Sequence, residues 1–135
     1  MMRKHLFIAA LALALSASIH AAETYDEYVA VMKAGAGANG KMRKMLESDL
    51  KGAAAAAEEA KAAFEEMEAY WKMKGADDAV TFSRNIVTAL EQVHAAAAAG
   101  DKEKAMAAAQ GIGANCGGCH NAHRDKDAAG KFVIK

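Results

Sequence analysis

The sequence predicts an all-α protein, an antiparallel up-down-up-down bundle of four helices, on three observations. The 135-residue chain contains no proline. Alanines are many and charges are dispersed between apolar positions, a composition that favours helix over strand. Four segments carry an apolar stripe at helical spacing, and the short links between them set consecutive helices side by side.

The opening segment stands apart from that bundle. MMRKH supplies early positive charge and LFIAALALALSASI an apolar centre, the pattern of an export signal. Its apolar run of about 14 residues is shorter than the roughly 20 that span a bilayer, which favours a cleaved signal over a retained anchor. Ala21 and Ala22 offer the cleavage point. Residues 1–22 are thus read as the signal and 23–135 as a mature domain in the periplasm. Removing 1–22 takes away Arg3 and Lys4 and no acid, leaving 15 basic against 17 acidic residues, a formal charge of −2. Nothing in that balance points to nucleic acid.

The first helix is expected over about 24–50. Thr24 with Glu27 forms a TxxE capping box, and Tyr25, Tyr28, Met32, Gly35, Asn39, Met42 and Leu46 follow along one face. The second, about 53–74, aligns Ala57, Ala60, Phe64, Met67 and Trp71 and stops at Gly75. Asp77 or Asp78 is the expected cap of the third, whose stripe is Phe82, Ile86, Leu90, Val93 and Ala97. Gly100 and Asp101 repeat the stop and start, opening a fourth helix with Ala105, Ala108, Ile112, Cys116 and Cys119 inward. FVIK at the C-terminus is too short to assign, either folding back on the bundle or fraying.

Gly35-x-Gly37-x-x-Gly40 matches a dinucleotide-binding fingerprint in spacing alone. That fingerprint needs a preceding strand and alternating strands and helices, and the chain has neither. Three glycines in one helix, each costing about 1 kcal/mol relative to alanine, suggest instead room for something bulky and flat, or for a neighbouring helix.

The only two cysteines lie in NCGGCHNAHR, residues 115–124. Cys116-x-x-Cys119-His120 is the c-type haem attachment motif. On a helix these three positions share a face, so both thiols can bond the vinyl groups of one haem while His120 coordinates its iron. Gly117 and Gly118 would keep side chains away from the porphyrin edge. Three alternatives stay open: a plain disulfide, zinc on Cys116, Cys119, His120 and His123, and a redox-active CxxC, although the chain lacks the βαβ setting of the last.

An exported four-helix chain with CxxCH in its last helix and a short basic tail resembles the cytochrome c′ family, the class II c-type cytochromes, over essentially the whole mature length. The resemblance implies one haem c inside the bundle, held by the fourth helix, with its distal face toward the first. Aligning the family's Gly-basic-Met with Gly40-Lys41-Met42 puts Met32 over the iron. Members similar to cytochrome c-556 use a methionine there as sixth ligand, whereas five-coordinate members carry a residue that only covers the iron. By the same resemblance Cys116 and Cys119 are the thioether anchors, His120 the proximal ligand and Met32 the candidate distal ligand. Arg124 matches an arginine four residues beyond the histidine, near the haem. Two positions depart from the pattern: His123 replaces a tyrosine, and Tyr28 replaces an arginine that meets a haem propionate.

The chain has eight methionines, and a methionine on an apolar stripe is usually core filler; Met42 and Met45 are read so. His94 reads as a boundary residue, and Phe64 and Trp71 as core aromatics. Histidine–methionine ligation suits single-electron carriage between redox partner proteins. The alternative is a five-coordinate iron that binds nitric oxide or carbon monoxide, and a non-haem zinc or disulfide interaction module comes third. No nucleophile, acid–base pair or substrate pocket is evident, so no catalytic enzyme is expected. Relatives in the family dimerise through the first two helices, and the alanine-rich stretch 53–57 would suit either such a homodimer or ordinary packing.

Overall fold

A computed structural model describes residues 21–135; the export signal read over residues 1–22 lies, but for its last two residues, outside the described part. The described chain is mostly helical. Its elements in order are α1 (Tyr25–Met45), α2 (Leu50–Lys74), α3 (Asp77–Ala98), α4 (Lys102–Gln110), α5 (Ile112–His123), β1 (Arg124–Lys126) and β2 (Phe132–Ile134). No described helix is long and apolar enough to cross a membrane.

Helix α1 begins with the expected capping box. Thr24 Oγ1 accepts the Glu27 amide at 3.2 Å, and Glu27 Oε2 accepts the amides of Thr24 at 3.0 Å and Glu23 at 2.8 Å. These bonds use up backbone donors that the first turn otherwise leaves open. The helix ends at Met45, earlier than expected, because Asp49 caps α2 by accepting the Gly52 amide at 2.8 Å. Gly75 closes α2 at φ +70°, a left-handed conformation that favours glycine.

Helix α3 corrects the expected cap. Its N-cap is Ala76, which makes no side-chain bond, and Asp77 and Asp78 lie in the first turn, where they oppose the positive end of the helix dipole. Gly100 at φ +77° and Asp101, whose carboxylate accepts the Lys104 amide at 3.0 Å, then reset the chain as expected. The single fourth helix of the sequence reading is two: α4 and α5 meet at Gly111, which keeps right-handed backbone angles.

The tail takes the first of its two expected courses and folds back: residues 124–134 form an antiparallel hairpin pairing Arg124 with Ile134 and Lys126 with Phe132. Asp127 builds its turn by accepting the amides of Ala129 and Lys131, both at 2.9 Å. The Tyr25 hydroxyl donates to the Phe132 carbonyl at 2.7 Å, fastening the hairpin to the start of α1.

The main packing runs from α1 to α2, from α2 to α3, and from α3 to both α4 and α5. All five positions of the α2 stripe are buried, as are Ile86, Leu90, Val93 and Ala97 of α3. Met42, as expected, is fully buried. Ala53, Ala54, Ala56 and Ala57 are buried within the chain itself, so of that stretch Ala55 alone is exposed. At Gly35 a methyl group would sit 2.9 Å from Met67 Cε and 3.2 Å from Ala63 Cβ, whereas one at Gly37 or Gly40 would meet nothing within 4 Å. Of the three glycines, then, only Gly35 serves a close approach, and what approaches is helix α2.

Candidate cofactor site

Helix α5 carries the chemistry of the CxxCH motif into the interior. Cys119 is buried, while Cys116 and His120 are partly so. Gly118 lies against α3: a methyl there would come 2.5 Å from Cε1 of Phe82 and 2.7 Å from its Cζ. Gly117 meets nothing. Of the glycine pair, one residue admits the Phe82 ring and the other faces open space.

Two cavities meet at this helix. The larger, about 520 Å3, lies between α1, the end of α2, α5 and the hairpin, and is within the range of roughly 300–1,000 Å3 usual for cofactor sites. The smaller, about 160 Å3, reaches in among α1, α2, α3 and α5. Tyr28, Met32, Cys119 and His120 line both, so the two behave as one slot with those residues at its waist. Cys116 lines the inner cavity only, and Arg124 the outer one only. The slot thus gathers every residue that the sequence singled out for haem.

Burial sets the protonation of the site. It pushes the Cys119 thiol up to about 11, with the charges of Asp78 and Cys116 adding to the effect, and it raises the Cys116 thiol against the pull of Arg43. Neither sulfur is bonded to the other. His120 is shifted down, by burial first and then by the Arg124 charge, which favours a neutral imidazole with a free lone pair. No charged residue lines the inner cavity. Its one orphaned polar atom is Asn39 Oδ1, buried with no hydrogen-bond partner among the described residues.

An aromatic wall closes one side. The Trp71 indole N–H donates to the Tyr28 hydroxyl at 3.1 Å, and Tyr28 stacks on Tyr70 at a ring separation of 4.4 Å. Burial raises the Tyr28 phenol well above its ordinary value, so it stays protonated. The His123 ring lies 4.7 Å from Trp71, and its Nε2 donates to both oxygens of Asp78 at 2.9 Å. His123 is thereby tied to the start of α3. Among the described residues, no three His, Cys, Asp or Glu side chains gather as a metal-holding group, so the four zinc ligands considered from sequence do not converge. His94 is placed at the α2 boundary, its Nδ1 3.1 Å from the Ala54 carbonyl, and lines neither cavity.

The Asp78–His123 contact predicts an acid-labile brace. That hydrogen bond, helped by the Ala79 amide, holds the Asp78 carboxyl below the usual carboxylate range. A carboxyl whose folded value is depressed adds stability above its unfolded value, and that stability is lost as pH falls through the folded one. Thermal unfolding of wild type and Asp78→Ala should therefore differ at pH 7 and converge as pH falls below the ordinary carboxylate range. A gap that persists undiminished at pH 2 would disprove the brace.

What the sequence missed here lies mainly in the hairpin, whose Lys131, Phe132, Val133 and Ile134 wall the outer cavity. The available signal was a glycine turn before a short β-branched run, Gly130 to Ile134. Compared with protein-family models, with curated proteins and with solved structures, the chain gives no match. Function therefore has to be argued from the site itself. The donor set fits a porphyrin: two thiols and a neutral imidazole on one helix, a thioether on another, and aromatic walls without an internal carboxylate.

Proposed function

We propose that this chain is a periplasmic c-type cytochrome that carries single electrons, with one haem c bound inside a four-helix bundle of the cytochrome c′ and c-556 kind. The observation that carries the reading is that Met32 of α1 lines the same two cavities as Cys119 and His120 of α5. When bound, the haem supplies a one-electron couple whose potential is raised by histidine–methionine ligation. The residues of the chain do the rest. Cys116 and Cys119 tether the group so that it is not lost, and His120 offers its lone pair from one side. The Met32 sulfur, half-buried and uncharged, would be the second iron ligand from α1, beside the wall that Tyr28 and Trp71 form by their hydrogen bond. Two such ligands held on separate helices would suit a one-electron change with little rearrangement.

The test is the optical spectrum of the haem-loaded chain, ferric and ferrous, with and without carbon monoxide. A low-spin spectrum with the far-red methionine-to-ferric-iron band, unmoved by the gas, is expected. Met32→Ala should convert it to a high-spin form that binds carbon monoxide. A wild-type spectrum already high-spin and gas-sensitive would overturn electron carriage in favour of gas binding. A chain that takes up no haem in a host able to attach it would overturn both and leave a non-haem helical interaction module.

A further inference from the structure

The two ends of the slot differ in chemistry. Cys116 faces only the uncharged inner cavity. Lys33, Arg124 and Lys131 line only the outer one, and all three are exposed at its rim, against a single acid, Asp26. None of the three has a carboxylate within 4.0 Å among the described residues, whereas Lys41, Lys61, Arg84 and Lys102 elsewhere on the surface each do. The Arg124 guanidinium lies 4.3 Å from the centre of the Phe132 ring, which steadies it where α5 gives way to β1. Lys33 comes from α1 and Lys131 from the hairpin, and the Tyr25–Phe132 hydrogen bond at 2.7 Å holds those two elements together.

A haem is two-sided in the same sense. The vinyl carbons that become thioethers lie along one edge, and the two propionate carboxylates lie along the opposite one. Anchoring the vinyl edge at Cys116 and Cys119 turns the carboxylate edge toward the outer cavity. Resting on the haem reading above, we infer that Lys33, Arg124 and Lys131 form a carboxylate-binding rim that receives the propionates and fixes the orientation of the group. The arginine supplies a planar fork suited to a carboxylate, and the lysines supply mobile point charges on either side. This assigns the C-terminal hairpin a part in binding and gives the chain propionate partners although Tyr28 stands at the position where an arginine was expected.

The test uses the full mature chain with Cys116→Ser and Cys119→Ser, titrated with ferric haem and with haem dimethyl ester, whose carboxylates are masked. Trp71, the only tryptophan, lines the outer cavity, so quenching of its fluorescence reports both ligands. Haem should bind about tenfold or more tighter than the ester, the value of one charge-assisted bond surviving solvent competition. Lys33→Gln with Arg124→Gln and Lys131→Gln should reduce that preference to under about twofold, while Lys51→Gln with Lys72→Gln and Lys104→Gln, away from both cavities, should leave it intact. Circular dichroism checks the helices, and Arg124→Gln alone serves if the triple variant does not fold.

Equal binding of haem and ester by the parent chain, or a preference that survives the rim substitutions, would overturn the rim. Binding of neither ligand would overturn the rim, and if the chain with its cysteines intact also took up no haem, the haem reading itself. In the haem-loaded chain with its cysteines intact, the rim variant should move the pH window in which the midpoint potential falls upward by about one unit, because the cations that favour ionised carboxylates are gone. An unmoved window would count against the rim independently.

Discussion

Replacing Cys116 and Cys119 together by serine is expected to abolish covalent haem completely. Each thioether forms by addition of S–H across a vinyl double bond: the sulfur takes one carbon, the hydrogen goes to the other, and no oxidant is consumed. A hydroxyl lacks the nucleophilicity for that step. After denaturing electrophoresis and haem staining, the wild-type band should stain and the double variant should not, although serine is close to cysteine in size. Either single variant should keep one link and stain more weakly. Cys119→Ser should be the more damaging, since Cys119 is buried and lines both cavities whereas Cys116 is partly exposed and lines one. Full staining in the double variant would mean that the group, if bound, is held by something other than this motif.

The second large effect concerns two neighbouring glycines that should respond in opposite directions to one substitution. Gly118→Ala places a methyl 2.5 Å from the Phe82 ring, closer than real β-carbons come, and a ring between two helices cannot swing aside as a lysine tip does. Overpacking of this kind costs about 1–3 kcal/mol. Gly117→Ala meets nothing and should stabilise the helix by up to about 1 kcal/mol. The pair is read by denaturant unfolding of the two variants, and Phe82→Ala in the Gly118→Ala background should recover much of the loss. Phe82 also lines the inner cavity, so the displaced ring should narrow it and lower haem loading. Equal stabilities for the two alanine variants would refute this account of the helix contact.

Much of this architecture was legible because burial repeats with the helix period. The α2 stripe from Ala57 to Trp71 is buried at every position, and the Thr24–Glu27 box and the glycine stops at 75 and 100 act as their residue types suggest. The residues singled out for the site, Met32, Cys119 and His120, line common cavities. What was not legible depends on distant partners. A glycine states that space is needed but not what fills it: Gly35 is met by Met67 and Gly118 by Phe82, both supplied by other helices. Asp77 and Asp78 resemble caps, yet the cap position fell one residue earlier, at Ala76, where the chain leaves Gly75. The hairpin strands are three residues each, too short for any alternation to register against the noise of a tail.

Helix α1 meets the last quarter of the chain through hydrogen bonds near both of its ends. Tyr25 donates to Phe132 at 2.7 Å, and Arg43, near the other end, donates to the Ala109 carbonyl at 2.8 Å. Between them the slot intervenes, and the broad apolar seam of α1 is with α2. Mechanically this is a door hung on α2 and held shut by two latches. The first latch is exposed and the second part-buried, and each is a single hydrogen bond, whereas the α1–α2 hinge is a broad apolar seam. The slot thus lies along the weaker of the two borders of α1, the one that a local opening would part at lower cost.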